Sequence, residues 1–197
     1  MEFLDIDCRK PNLELLKAAL DLLEKDYPIV FPTDTVYGIL IKYSEPNAQK
    51  LHALRRADLS KPFLAVISED FNLKQLVDRT KLKPSAENFL DAHWPGKVTC
   101  ILPKHPSLRY PSGDTIAIRM CAHLDNTAFH TLVQMADFPL LAPSLNRAGE
   151  PLIATKGAAR ASFSNDLEYA FWDEHFSSHN QPSQIWDLTG SEAVQVR

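Results

Sequence analysis

Leu13, Leu15, Leu16, Ala19, Leu20, Leu22 and Leu23 recur at helical spacing after Pro11-Asn12, and this pattern predicts a first helix over about Asn12 to Lys25. The period then changes. Pro28 to Phe31 is a short continuous apolar run, the signature of a strand buried on both faces. Asn47 to Arg56 predicts a helix and Phe63 to Ile67 a buried strand. Leu73 to Leu82 and Ser85 to Ala92 predict two helical pieces separated by Pro84, whose ring disfavours helix in the preceding residue. Val98 to Leu102 and Thr115 to Met120 predict strands, Asn126 to Met135 a helix, Leu140 to Pro143 a short strand, and Gly157 to Phe163 a further helix. Tyr169 to Trp172 and Ile185 to Leu188 have strand character and can close the sheet. Strands alternating with helices along the chain predict an α/β architecture, a twisted mixed sheet with helices packed on it. No internal repeat interrupts this order, and the polar stretch His175 to Ser183 reads as a surface excursion.

Composition narrows the picture. A chain of 197 residues suits one domain with room for a real hydrophobic core, and 45% apolar with 23% charged residues is ordinary for a soluble globular protein. No apolar run approaches the roughly 20 residues of a membrane span, so no membrane partner is expected. The acidic start, Met1-Glu2-Phe3-Leu4-Asp5-Ile6-Asp7, lacks the basic character of a secretory or transit signal, and the expected compartment is the cytoplasm. Cys8, Cys100 and Cys121 are three widely spaced cysteines with no Cys-x-x-Cys, a pattern of neither a disulfide framework nor a zinc site. The net charge of −4 gives no general nucleic-acid signal. Bases nevertheless crowd locally, with Lys50, Arg55, Arg56 and Lys61 in one segment and Lys97, Arg119, Arg147, Lys156 and Arg197 spread over others.

Candidate chemistry begins at Phe31-Pro32-Thr33-Asp34-Thr35-Val36-Tyr37-Gly38, which sets two hydroxyls, a carboxylate and a phenol where a buried strand ends. Strand ends are where α/β proteins place ligands, although the same residues also suit a plain turn. No Gly-x-x-x-x-Gly-Lys-Ser/Thr or Gly-x-Gly-x-x-Gly occurs, so a nucleotide would bind outside the P-loop and Rossmann arrangements. His175 and His179 are spaced i, i+4 but lack the intervening glutamate of a zinc-protease helix, and His123 and His130 read as structural or surface residues. Cys100 sits in an apolar strand and reads as core.

Six segments in this order, Phe31 to Gly38, Arg55 to Pro62, Trp94-Pro95-Gly96-Lys97-Val98-Thr99, Thr115 to Arg119, Ser144-Leu145-Asn146-Arg147-Ala148-Gly149 and Ser183 to Arg197, together resemble the YrdC-like family, whose best-known members are threonylcarbamoyl-AMP synthases. The resemblance spans about Leu13 to Arg197. It implies the YrdC-type fold, a twisted mixed sheet with a large concave ligand cavity on one side. It implies an enzyme that condenses L-threonine, bicarbonate or CO2, and ATP into threonylcarbamoyl-AMP with release of pyrophosphate. The product serves threonylcarbamoyl modification of tRNA adenosine, so tRNA and tRNA-modification proteins are implied partners, with Mg2+ accompanying ATP as co-substrate. Residue by residue, the resemblance assigns Thr33, Arg119 and Ser183 to threonine. It assigns Thr115, Ser144, Asn146 and Arg197 to the nucleotide, and Arg55 and Lys61 to the phosphates, where they neutralise charge during the reaction.

One segment departs from the family pattern. Where the synthases carry Lys-x-Arg, this chain has Arg55-Arg56-Ala57, so one phosphate contact is missing. Arg56 is offset by one residue, about 100° around a helix. Val66 stands where a histidine often follows, and Leu145 and Ala148 alter the Ser-x-Asn turn. These departures are similar to the YciO-type paralogues. They define a second expectation, a nucleotide- or double-stranded-RNA-binding protein on the same fold with weak or no synthase activity, whose binding would weaken steeply with salt.

Overall fold

The computed structural model describes residues 1–122, 126–176 and 182–197. In chain order its elements are β1 (Glu2–Asp5), α1 (Leu13–Glu24), β2 (Ile29–Pro32), β3 (Tyr37–Lys42), α2 (Glu45–Arg55), β4 (Ala65–Ile67), α3 (Pro84–His93), β5 (Val98–Pro103), β6 (Thr115–Met120), α4 (Thr127–Met135), β7 (Leu140–Leu141), α5 (Lys156–Phe163), β8 (Tyr169–Trp172), β9 (Gln184–Asp187) and β10 (Val194–Gln195). The strands hydrogen-bond in the order β1-β8-β2-β3-β7-β4-β6-β5-β9-β10. β1 and β2 pair parallel with β8, and β4 with β6, while β2 pairs antiparallel with β3, and β5 with β6. The sheet is therefore mixed, as the alternating pattern predicts. Among the described residues no helix is long and apolar enough to cross a membrane.

The helical spacing of α1 places Leu16, Ala19 and Leu23 on one fully buried stripe, and Asn12 caps the helix by accepting from the Glu14 amide at 2.9 Å. That stripe packs with Phe129, Leu132 and Val133 of α4 on Phe31, Leu40, Val66 and Leu140 of the sheet. The other face takes α2 and α5 over Val30, Ile39, Ile41 and Leu141, and α3 over Ala65, Ile67, Cys100 and Ile118. The ladder explains the division. Leu141 lies opposite Ala65 and Leu140 opposite Val66, so neighbouring residues serve opposite faces. On β6 the same alternation turns Ile116 and Ile118 toward α3 and Thr115, Ala117 and Arg119 to the opposite face.

Several elements differ from the sequence expectation. Tyr37–Lys42, to which the pattern assigns no element, is a strand: it pairs Pro32 with Tyr37 and Phe31 with Gly38, so the motif is the tip of a hairpin. Glu2–Asp5, acidic and read only as a terminus, adds to the sheet edge beside β8. Leu73 to Leu82 is not a helix but two 3₁₀ turns, Leu73–Gln75 and Arg79–Lys81. Asn72 and Asp78 accept from the amides of Lys74 and Thr80 at 3.2 and 3.1 Å, local bonds that compete with a continuous helix. Helix α2 begins two residues early because Ser44 caps it, and it ends at Arg56, whose φ of 51° is left-handed.

Candidate active site

The hairpin tip is built around Thr33. Its hydroxyl donates to the Val36 carbonyl at 2.6 Å and accepts from the amides of Thr35 and Val36 at 3.2 and 3.3 Å. That hydroxyl is thus engaged within its own turn, which it fixes. Asn126, at the start of α4, pins the tip by donating to the carbonyls of Pro32 and Thr33 at 2.8 and 3.2 Å. Gly38 lies behind it, where a Cβ would stand 3.0 Å from the Thr33 methyl and 3.3 Å from the Pro143 carbonyl. The tip therefore has no freedom to settle away from the sheet.

This fixed tip carries Asp34 to Arg119. The Arg119 Nη2 and Asp34 Oδ1 are 2.8 Å apart, and each side chain is only 3% exposed. Thr99 lies opposite Arg119 in the β5/β6 ladder and its hydroxyl is 2.8 Å from that of Ser183, which is also buried. Arg197 reaches the same place, donating to the Ser183 carbonyl at 3.2 Å. Burial lowers the Arg197 pKa, and the neighbouring charge of Arg119 lowers it further. Two guanidinium groups and one carboxylate thus converge over the open face of β6, β5 and β9.

Thr33, Asp34, Thr35 and Lys97 form one wall of a cavity of about 890 Å³, and the chain after β1 and β8 forms the other. Cys8 there donates its amide to the Asp173 carboxylate at 2.8 Å, and Tyr37 stacks on Trp172 with ring centres 3.9 Å apart while its hydroxyl donates to the Asp173 carbonyl at 2.9 Å. Thr33 lines this depression, whereas Arg119, Ser183, Ser144 and Asn146 are not among its lining residues.

A second cluster joins Arg55, Ser144 and Asn146. Arg55 Nε donates to the Asn146 carbonyl at 2.9 Å, and its Nη2 donates to Asn146 Oδ1 at 2.9 Å and reaches Ser144 Oγ at 3.5 Å. The Ser144 hydroxyl donates to Asn146 Oδ1 at 2.7 Å, and Asn146 Nδ2 donates to the carbonyls of Arg147 and Glu150. Gly149 completes the turn with a φ of 81°, which few side chains tolerate. Arg147 anchors it, donating to the Leu54 carbonyl, to the Ser162 carbonyl at 2.6 Å and to Asp166 at 2.6 Å, and stacking over Phe163.

The remaining assigned residues are dispersed. Arg197 sits with Ser183 and Arg119 rather than with Ser144 and Asn146. Thr115, four residues before Arg119 on β6, lines a separate cavity of about 500 Å³ with Ser60, Pro62 and His52. Lys61 is exposed on the loop after α2, and Arg56 is exposed at the helix end. Ala57 packs partly buried against the α2 core and donates its amide to the His52 carbonyl at 2.9 Å. His175 borders the large cavity; His123 and His179 lie outside the described residues. His130 lies 3.8 Å from Glu69. Cys100 is fully buried, and burial pushes its thiol up to about 12. Among the described residues no three His, Cys, Asp or Glu side chains converge on a metal position.

Sequence reasoning singled out Arg119 and passed over its partner. The Asp34 carboxylate belongs to the candidate strand-end motif, but its separation of 85 residues from Arg119 leaves no local trace of the pairing.

A family model for Sua5, YciO and YrdC, described as telomere recombination, matches residues 21–197. A threonylcarbamoyl-AMP synthase of Klebsiella pneumoniae is 27% identical over 182 residues, covering 90% of this chain and 93% of that protein. Among crystal structures, P. abyssi Sua5 complexed with L-threonine superposes with a TM-score of 0.85 at 22% identity, covering all of this chain, which spans 57% of that one. E. coli YciO superposes with a TM-score of 0.82 at 19% identity, covering 100% of this chain and 94% of that one.

Proposed function

The chain belongs to the Sua5/YciO/YrdC family, and from that premise we propose that it is an L-threonylcarbamoyladenylate synthase, a nucleotidyltransferase making threonylcarbamoyl-AMP and pyrophosphate from L-threonine, bicarbonate or CO2, and ATP. The observation that carries the reading is the buried ion pair of Arg119 with Asp34, a residue that lines the large cavity, with Arg197 close to Arg119. A planar guanidinium is the natural partner of an amino-acid carboxylate, and the L-threonine bound by the P. abyssi protein supports this class of ligand.

In this reading the threonine amine adds to CO2, losing a proton to form a carbamate. A carbamate oxygen then attacks the α-phosphorus as the bond to the β-phosphate breaks. Nothing in the sequence calls for a covalent intermediate, so the protein positions reactants and neutralises charge. Arg119 holds the threonine carboxylate. Thr33 fixes the hairpin tip that borders the subsite, and Ser183 and Thr99 floor it. Ser144 and Asn146 hold the nucleotide on a turn braced by Arg55, with Lys61 toward its phosphates and Thr115 farther along the same face, while Arg197 stands with Ser183 and Arg119 beside the threonine subsite. Magnesium travels on the nucleotide phosphates, supplying charge neutralisation there. The product passes to tRNA-modification proteins in the cytoplasm.

Pyrophosphate release tests the proposal: it should require threonine and bicarbonate together, and release that ignores either one contradicts it. Ala57 favours a second reading, a YciO-type paralogue that binds nucleotide or double-stranded RNA with weak or no synthase activity, since the phosphate-binding run has one base fewer. A salt-sensitive gel shift without pyrophosphate release would favour that reading.

A further inference from the structure

The pair between Arg119 and Asp34 is not built as a structural bridge. Buried ions normally saturate their hydrogen-bonding capacity, because each unmet bond leaves desolvation uncompensated. Arg–carboxylate pairs do so by meeting fork to fork. Here the approach is through a single nitrogen and a single oxygen, 2.8 Å apart. Neither oxygen of Asp34 takes part in a hydrogen bond of acceptable geometry, and Arg119 Nε likewise has none. Asp34 lines the large cavity, and Arg119 is its buried ion-pair partner.

Charge points the same way. Burial and then the charge of Arg119 lower the Arg197 pKa, so among the described residues a second guanidinium stands near the Arg119–Asp34 pair and adds positive charge that favours an incoming anion. A ligand carboxylate arriving at Arg119 must displace Asp34, leaving a buried carboxylate beside the ligand. The group that satisfies this carboxylate is a cation on the adjoining atom of the same ligand. That is the charge pattern of an α-amino acid.

We propose that Asp34 is the counter-ion of the substrate's ammonium group, and that its pairing with Arg119 is an internal stand-in for the amino-acid zwitterion. The assignment rests on reading this cluster as an amino-acid subsite. On binding, the Asp34 side chain swings off Arg119, the ligand carboxylate takes its place, and the ligand ammonium pairs with Asp34. The exchange conserves the ion pairs while admitting only ligands that bring both charges. Asp34 is thereby a specificity residue, selecting amino acids against hydroxy acids of the same shape.

Calorimetry with L-threonine and with 3-hydroxybutyrate, which keeps the carboxylate and hydroxyl but lacks the ammonium, tests this. The folded wild type should prefer threonine. Asp34→Asn should weaken threonine binding by about tenfold or more, the scale of one charge-assisted hydrogen bond, and should strengthen 3-hydroxybutyrate binding because Arg119 is no longer masked. Asp34→Glu should keep the preference for threonine. Should Asp34→Asn not fold, Asp34→Ala carries the same measurement. Parallel shifts of both ligands in the Asp34 variants, with binding still lost in Arg119→Ala, would overturn the role of Asp34 alone. Absence of threonine binding in the wild type, or undiminished binding in Arg119→Ala, would overturn the subsite and this assignment with it.

Discussion

Arg55→Ala removes the brace of the Ser144–Asn146 turn. Two aligned donations are lost, to the Asn146 carbonyl and to Asn146 Oδ1, both 2.9 Å, whereas the 3.5 Å approach to Ser144 Oγ is too long to count for much. Hydrogen bonds from a charged donor contribute about 1.5 to 3 kcal/mol each, and water restores part of that at this half-buried position, so the net cost is about 2 to 4 kcal/mol. The guanidinium also lies 5.6 Å from the Phe63 ring centre, at the outer limit of a cation–π contact. For a chain of this length each kcal/mol moves the melting temperature by about 2 to 4 °C, so the variant should melt roughly 5 to 15 °C lower. Arg55→Lys keeps the charge but supplies one point of contact instead of a fork, and should lose about half as much. Scanning calorimetry reads both. A melting temperature within about 2 °C of wild type in Arg55→Ala would refute the bracing role, because no loss of a made, half-buried charged contact is that small.

Acid should destabilise the protein through His52. Its ring is buried, both nitrogens lack hydrogen-bond partners, and burial lowers its pKa, opposed by the Ala57 backbone. The unfolded chain therefore takes the proton first, and stability should fall as pH drops below about 6.5. His52→Phe should flatten that fall in urea titrations, and an unchanged slope would exclude His52 as its source. Alkali should act through the thiols: burial raises the pKa of Cys8, Cys100 and Cys121, so the folded state holds protons that the unfolded state releases above about 8.5, and stability should decline from there. Iodoacetamide at neutral pH should accordingly leave all three unlabelled until denaturant is added, and labelling of the native protein would contradict their burial. Ala57→Arg, adding a base beside the phosphate-binding run, should raise ATP affinity by an amount worth about 1.5 to 3 kcal/mol, read by calorimetry; unchanged affinity would mean that Lys61 or Arg56 already makes that contact.

The parts of the fold that were legible in the sequence are those set by period. The apolar spacing of the first helix announces the stripe of Leu16, Ala19 and Leu23, though Leu13 in the same pattern stays exposed, and the β5 and β6 runs likewise state their strands directly. What escaped was set by longer-range pairing or by competing local bonds. Tyr37–Lys42 carries Tyr, Ile, Leu and Ile in an apolar run, yet Gly38 sits inside it where a turn was read, and its necessity appears only once Thr33 and Pro143 close on that glycine. Leu73 to Leu82 has helical apolar spacing, but Asn72 and Asp78 each capture backbone amides and split it. At the site, Arg55, Ser144 and Asn146 were assigned by resemblance and do meet in space, since the α2 end is held against the turn by Arg147 and by the Ala148 amide donating to the Arg55 carbonyl at 2.8 Å. Arg197 was grouped with them and instead joins Arg119, because β10 folds back along β9 and returns the chain to Ser183. Nothing in the linear order distinguishes those two destinations.

Mass spectrometry of the reaction mixture bears most directly on the central claim. With ATP, L-threonine and isotopically labelled bicarbonate, the wild-type chain should yield a threonylcarbamoyl adenylate carrying the label, and Arg119→Ala, folded by circular dichroism, should yield far less at the same threonine concentration. No labelled adenylate from a wild type that binds both ATP and threonine, or undiminished product from Arg119→Ala, would contradict the account.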